Sequence, residues 1–427
     1  MKIPESGRYV LANASVPRAF VEAPGESEIA LLDILIEDGR IAAIAPAGSL
    51  TGDAVALDRG MVWPCFVDLH THLDKGQTWP RASNPDGTRA GALATVGADR
   101  AAHWHSEDIR ARMDFMLRCA YAHGTRAIRT HIDSIGVQPW ISWPVFCDMR
   151  DRWKGRIDLQ AVALFHPEAA ADDQWLGRLA DLVAECGGIM GGVPYMEQGL
   201  DDYLTRVFGH AERHGLDLDF HVDELMDPAA ATLRRIAETA IARRFPGQIV
   251  AGHCCSIALQ APDEVDRTLD LVAQAGIAVV SLPMCNMYLQ DRVAARTPRW
   301  RGVTLLHEMR ARGIRVSVSS DNSRDPFYAY GDMDIVEVYR EATRIAHLDH
   351  PVGDWPAAVS TTPAAVAGFA EARIAAGAPA DLVLFRARTF NEFLVRPQSD
   401  RVVLRAGRAI DRTLPDYREL DALMGTA

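Results

Sequence analysis

The stretch Phe66-Val67-Asp68-Leu69-His70-Thr71-His72-Leu73-Asp74-Lys75 opens apolar and closes polar. Its first half reads as a buried strand, and the two histidines fall where that strand ends. Alternate residues on a strand face the same way, so both imidazoles can reach one point. Taken alone, such a pair serves structure as readily as it serves a metal. What decides is that the form recurs along the chain. Seven further β-rich runs follow, at Arg126–Asp133, Leu159–Phe165, Gly188–Pro194, Leu216–Asp223, Gln248–His253, Ile277–Leu282 and Arg315–Asp321. Longer amphipathic stretches separate them, Asp263–Ala275 among them. Alternation of this kind marks an α/β fold built from βα units. Counted with the first, the runs make eight strands over roughly three hundred residues, which predicts a (β/α)8 TIM barrel. An open doubly wound sheet is the alternative, but no G-x-G-x-x-G follows the first strand.

Several of these runs end in a ligand-type side chain: His70 and His72, His131, His221, His253 and Asp321. In a TIM barrel the C-terminal strand ends form the active face, so these residues converge there. His70, His72, His221 and Asp321 form the candidate metal set, one divalent ion, Zn2+ or Fe2+, for which nitrogen and carboxylate ligands are suited. Glu224 lies just past His221, placed to move protons between water and substrate. Its alternative is a solvated loop acid. His253 points into the same mouth, either to hold the water and polarise the scissile bond or as a buried, hydrogen-bonded histidine. His131 is a weaker candidate for a supporting or substrate contact.

Outside the barrel region, residues 1–60 read as short strands, with Glu37-Asp38-Gly39 turning between two apolar runs. The tail repeats the pattern at Asp381–Phe385 and Arg401–Leu404. Residues 1–60 and 372–427 are therefore expected to pair as one small β-sandwich domain, with 61–371 forming the barrel. A net charge of -12 argues against nucleic acid or an anionic membrane as partner. No apolar run approaches the roughly 20 residues of a membrane span. Seven scattered cysteines, without C-x-x-C spacing, read as reduced thiols. The first residues lack the apolar core of a signal peptide, and the expected compartment is the cytoplasm. A homo-oligomer is a common state for such enzymes.

The segments Phe66–Asp74, His221–Glu224, His253 and Ser320-Asp321 resemble the amidohydrolase superfamily, and more closely its cytosine deaminase branch. Asn286–Arg292 and Asp325-Pro326-Phe327-Tyr328 add to the likeness. The resemblance implies a mononuclear site. Members with two metals bridge them with a carbamylated lysine at the end of the fourth strand, and no lysine lies near Gly188–Pro194. The chain holds only Lys2, Lys75 and Lys154. It also implies a reaction, hydrolytic deamination of a small aminated heterocycle with release of ammonia. In that scheme Asp321 accepts a proton from water, His253 hydrogen-bonds the resulting hydroxide, and Glu224 protonates a ring nitrogen.

The substrate-contacting positions depart from the cytosine deaminase pattern. Where those enzymes carry a glutamine after the third strand, this chain has His166, which can both donate and accept. Asn322 stands where a second aspartate is usual, and Phe327 where a tryptophan is usual. His72-Leu73-Asp74-Lys75 is similar instead to the triazine-ring hydrolases, such as N-isopropylammelide amidohydrolase. That likeness makes Lys75 a candidate for a substrate carbonyl. Trp79 extends the same loop as a candidate lid or rim residue. Cytosine is the leading expectation; a pterin, isocytosine or aminotriazine ring is the alternative, and a catalytically silent binding protein is the reading from another class.

Overall fold

The structure is a computed structural model describing residues 2–5 and 7–425. Its strands, in chain order, are β1 (Arg8–Pro17), β2 (Ile29–Glu37), β3 (Arg40–Pro46), β4 (Ala54–Ala56), β5 (Val62–Pro64), β6 (Phe66–Thr71), β7 (Thr125–Asp133) and β8 (Asp158–Leu164). They continue as β9 (Met190–Gly192), β10 (Leu218–Val222), β11 (Ile249–His253), β12 (Ala278–Ser281), β13 (Val316–Val318), β14 (Leu382–Leu384), β15 (Val402–Arg405) and β16 (Arg408–Ala409). The chain divides into two compact units, one of Met1–Asp68, Arg118–Ala127 and Asp334–Leu414, the other of Leu69–Leu117, Ile128–Met333 and Pro415–Ala427. Among the described residues, no helix is long and apolar enough to cross a membrane.

The first unit holds two four-stranded sheets, ordered β3-β2-β1-β4 and β16-β15-β14-β5. The expected turn at Asp38-Gly39 joins β2 to β3, with both residues at positive φ, 50° and 78°. That geometry matches the right-handed twist of the flanking strands, and glycine adopts it without steric cost. The second sheet combines strands distant in sequence, since Trp63 of β5 lies opposite Val383 of β14. Its aromatic core centres on Trp63, fully buried and stacked on Phe393 with ring centroids 4.6 Å apart. Phe20, Tyr339 and Phe385 pack round the same indole. Sequence analysis assigned 1–60 and 372–427 to this part and 61–371 to the barrel; in the structure this unit also takes in 61–68, 118–127 and 334–371, and residues 415–425 belong to the other.

Each of the eight expected runs overlaps one of the strands β6 to β13. β6-β7-β8 form one sheet and β9-β10-β11-β12-β13 another, the latter parallel at every pairing. Single parallel bridges, Val162 with Ile189 and Thr71 with Asp321, connect β8 to β9 and β6 to the segment after β13. Strands such as Ile249–His253 and Ala278–Ser281 are buried at every residue, as sheets covered on both faces require. The intervening helices are amphipathic. Pro262–Gln274, for example, starts with proline and two acids and buries Thr268, Leu269 and Val272.

Replacing Trp63 with alanine would leave a large void among four aromatic rings. The expected cost is about 3–5 kcal/mol, to be read as a lower urea midpoint in equilibrium unfolding.

Candidate active site

The strand ends place the ligand side chains, and two of those ends turn in an unusual way. His253 and Asp321 adopt left-handed backbone, with φ of 68° and 62°. Non-glycine residues occupy that region at a cost, which persists where the surrounding structure demands a particular aim. The Asp321 amide donates to the His70 carbonyl at 2.9 Å, and the Thr71 hydroxyl donates to the Asp321 carbonyl at 2.7 Å. Together these tie the aspartate to the end of β6.

His70, His72, His221 and Asp321 meet as one fully enclosed cluster. The Nε2 atoms of His70 and His72 each lie 3.2 Å from His221 Nε2. Asp321 Oδ1 lies 3.2 Å from His72 Nε2 and 3.6 Å from His70 Nε2. Ligands about 2.0–2.1 Å from a tetrahedral ion stand about 3.4 Å from one another, so the donor spacing fits one ion. The protonation states agree. Burial, reinforced by neighbouring cations, holds the three imidazoles well below the usual histidine pKa, leaving neutral rings with lone pairs to offer. Burial and the facing Glu224 carboxylate push the Asp321 carboxyl up, an electrostatic penalty that a cation relieves.

One backbone position makes room for this cluster. His221 on β10 is in register with Gly252 on β11, and a Cβ at Gly252 would lie 2.8 Å from His70 Cε1. His131, expected as a supporting residue, packs against His70 at 3.9 Å between ring centroids. Beneath it Asp219 pairs with Arg129 at 2.9 Å.

Beside the ligands, Glu224 and His253 form a second cluster. His253 Nδ1 lies 3.4 Å from Glu224 Oε1 and 2.9 Å from Asn286 Nδ2. The same amide donates to Glu224 Oε1 at 3.3 Å. His253 Nε2 is buried with no hydrogen-bond partner among the described residues. A cavity joins both clusters to Lys75, His166, Asn322 and Phe327, all expected from the sequence. Lys75 Nζ is 2.8 Å from Asp133 and 5.2 Å from the Phe327 ring centroid. Burial disfavours the ammonium, but Asp133 and Asp74 outweigh it and hold Lys75 charged. Asn322 donates to Asp325 at 2.7 Å, and Asp325 accepts from the Phe327 amide, fixing that ring. Trp79 does not line the cavity; it is half-buried, its amide bonded to the Arg324 carbonyl.

Sequence reasoning missed one wall altogether. The helix Arg89–His103 sends Arg89, Leu93, Val96 and Arg100 into the cavity. The spacing i, i+4, i+7, i+11 is one helix face, a signal that was present but lay between strands. Thr88 caps this helix on Gly91 N, and Arg81 grips Asp99 within it and Asp108 beyond it. Arg89 reaches Glu224 and Arg100 reaches Asp133. Asn286 was quoted only for likeness, and Tyr195 not at all.

The profile described as the amidohydrolase family matches residues 110–411. The chain belongs to the amidohydrolase family. As a member it is a hydrolase acting on carbon–nitrogen bonds. It is 53% identical to a pterin deaminase of Rhizobium rhizogenes over 431 residues, 100% of this chain and 99% of that one. To an N-isopropylammelide isopropyl amidohydrolase of Pseudomonas sp. it is 25% identical, over 67% of this chain and 69% of the relative. The structure of a 5-methylcytosine deaminase from Klebsiella pneumoniae, liganded with 5-fluorocytosine, superposes with a TM-score of 0.80 at 25% identity. That likeness covers 96% of this chain and 98% of the other.

Gly252→Ala is expected to push the His70 ring out of line and weaken metal binding by about tenfold to a hundredfold. Metal retained after dialysis against a graded chelator, measured by elemental analysis, checks this.

Proposed function

We propose that this amidohydrolase is a hydrolytic pterin deaminase. It removes the exocyclic amino group of an aminopteridine ring and leaves the oxo ring and ammonia. The observation that carries the reading is the 53% identity to a pterin deaminase along the whole chain. Identity to the 5-methylcytosine deaminase and to the ammelide hydrolase is 25%. The sequence put cytosine first and a pterin second; the comparisons favour the reverse order. Leu93, Val96, Ile135, Leu164, Val193 and Phe327 give the cavity an apolar lining suited to a flat aromatic ring.

In this reading β6 to β13 form a (β/α)8 barrel closed by the two single bridges, and the sheets of the other unit form a β-sandwich. His70, His72, His221 and Asp321 would hold one Zn2+ or Fe2+ ion, which when bound would supply the Lewis acidity that makes water a nucleophile near neutral pH. Asp321 accepts a proton from the attacking water at a carboxylate oxygen. His253 Nε2, without a protein partner, orients the water oxygen toward the amino-bearing carbon. Glu224, held by Asn286 and His253, delivers a proton to the adjacent ring nitrogen and makes that carbon more electrophilic. Lys75, His166 and Asn322 meet the polar edge of the ring, and Phe327 its face. The proton on Asp321 passes to the amino group, which leaves as ammonia, while the hydroxyl proton of the adduct returns to Glu224 and the water oxygen stays on carbon as the oxo group.

Ammonia release by the metal-replete enzyme, with a chelated control, tests the assignment across pterin, cytosine, 5-methylcytosine, isocytosine and aminotriazines. Pterin is expected to exceed cytosine in kcat/KM by at least about tenfold; equal or better turnover of cytosine would overturn the substrate. Glu224→Gln is expected to lower kcat by about 10²–10⁴ while one metal per chain is retained in elemental analysis.

A further inference from the structure

Arg89 lines the cavity and bridges Glu224 and Tyr195. Its Nε donates to Glu224 Oε2 at 3.3 Å, and its Nη2 donates to the Tyr195 hydroxyl at 3.2 Å. The guanidinium carbon lies 5.8 Å from the Tyr195 ring centroid. The Tyr195 hydroxyl is in turn 3.5 Å from His166 Nδ1, and the two rings lie nearly parallel at 14°. A continuous polar chain therefore runs from His166 through Tyr195 and Arg89 to Glu224. None of its members is a metal ligand.

Glu224 itself is held on two sides. Asn286 and His253 meet Oε1, and Arg89 meets Oε2. The first contact comes from the helix Pro283–Leu289, the second from the end of β11 and the third from the first residue of the helix Arg89–His103. A carboxyl group that must carry a proton to one ring atom loses rate steeply when its angle drifts. With Arg89 removed, Oε2 loses its cationic partner and the carboxylate can turn about its remaining contacts.

We propose that Arg89 is a positioning residue, which fixes the angle of the Glu224 carboxylate and links it to the Tyr195–His166 edge of the cavity. Its contribution falls on the proton-transfer step and not on metal binding or on ring affinity. A lysine at this position keeps the charge but has one point of contact where the guanidinium makes two. The proposal rests on the reading of Glu224 as the proton-transfer residue.

The experiment uses metal-replete Arg89→Ala, Arg89→Lys and Glu224→Gln, assayed on the ring that the wild-type enzyme turns over best. Arg89→Ala is expected to lower kcat by about tenfold to a hundredfold, with KM changed less than about threefold, and with metal content and Tm as in wild type. Arg89→Lys is expected to recover part of the loss, and millimolar guanidinium to restore kcat in Arg89→Ala but not in Glu224→Gln. A kcat within about twofold of wild type for Arg89→Ala would overturn the proposal, as would a loss seen mainly in KM or accompanied by loss of metal. If Glu224→Gln keeps wild-type kcat, the underlying reading of Glu224 falls instead, so the two failures are told apart.

Discussion

Three imidazoles and a carboxylate must share a few ångströms of buried space, and the rest of the site is arranged round that demand. Burial does the first part, because a charged imidazole is disfavoured where it cannot be solvated. The rings are thereby kept neutral and ready to donate lone pairs. Burial also works against Asp321, whose negative charge lacks solvation and faces Glu224. The donor atoms thus present a site whose own electrostatics call for a cation. Left-handed backbone at His253 and Asp321 costs of order 1–3 kcal/mol each. Hydrogen bonds from the Asp321 amide and the Thr71 hydroxyl help hold the second of these bends in place.

Around the ligand set, opposite charges are placed in pairs rather than singly. Lys75 and Arg100 share Asp133, while Arg89 faces Glu224. Lys75 and Asp133 are both buried, so taking either away leaves an uncompensated charge at a cost far above the pair's net stabilisation, whereas Arg89 and Arg100 keep part of their side chains in solvent. These pairs also bind the helix Arg89–His103 to the strand ends at two points along its length. The helix is consequently a fixed wall, with an apolar middle between two cationic ends. A flat ring with polar edges suits that distribution.

Much of this was legible in the sequence, for a definite reason. Strand ends that carry histidine or aspartate announce themselves, since an apolar run closing on a ligand-type residue is rare and here recurs. The eight strands, His70, His72, His221, Asp321, Glu224 and His253 all came from that signal. Lys75 stood out because the chain has so few lysines. What stayed hidden sits on no strand. Arg89 and Arg100 lie in a connection between strands, where no ligand-type strand end marks them, and arginine is common throughout this chain. Asn286 carries no charge and no metal-ligand spacing, so only its place beside His253 and Glu224 gives it meaning. For Trp79 the sequence left a lid and a rim position open, and the structure has it half-buried, outside the cavity lining.

The helical wall has a consequence for how this enzyme can change. The candidate ligand atoms, with Glu224 and His253, hang from strand ends, whereas the apolar middle of the wall is made by Leu93 and Val96 on a separate helix. Substitutions at those two positions alter the size and shape of the ring that can enter without touching any ligand atom. Part of the cavity's shape is therefore inherited on a different segment of the chain from the candidate ligand atoms. A lineage can drift from one heterocycle to another by small steps, each intermediate keeping its catalytic apparatus whole.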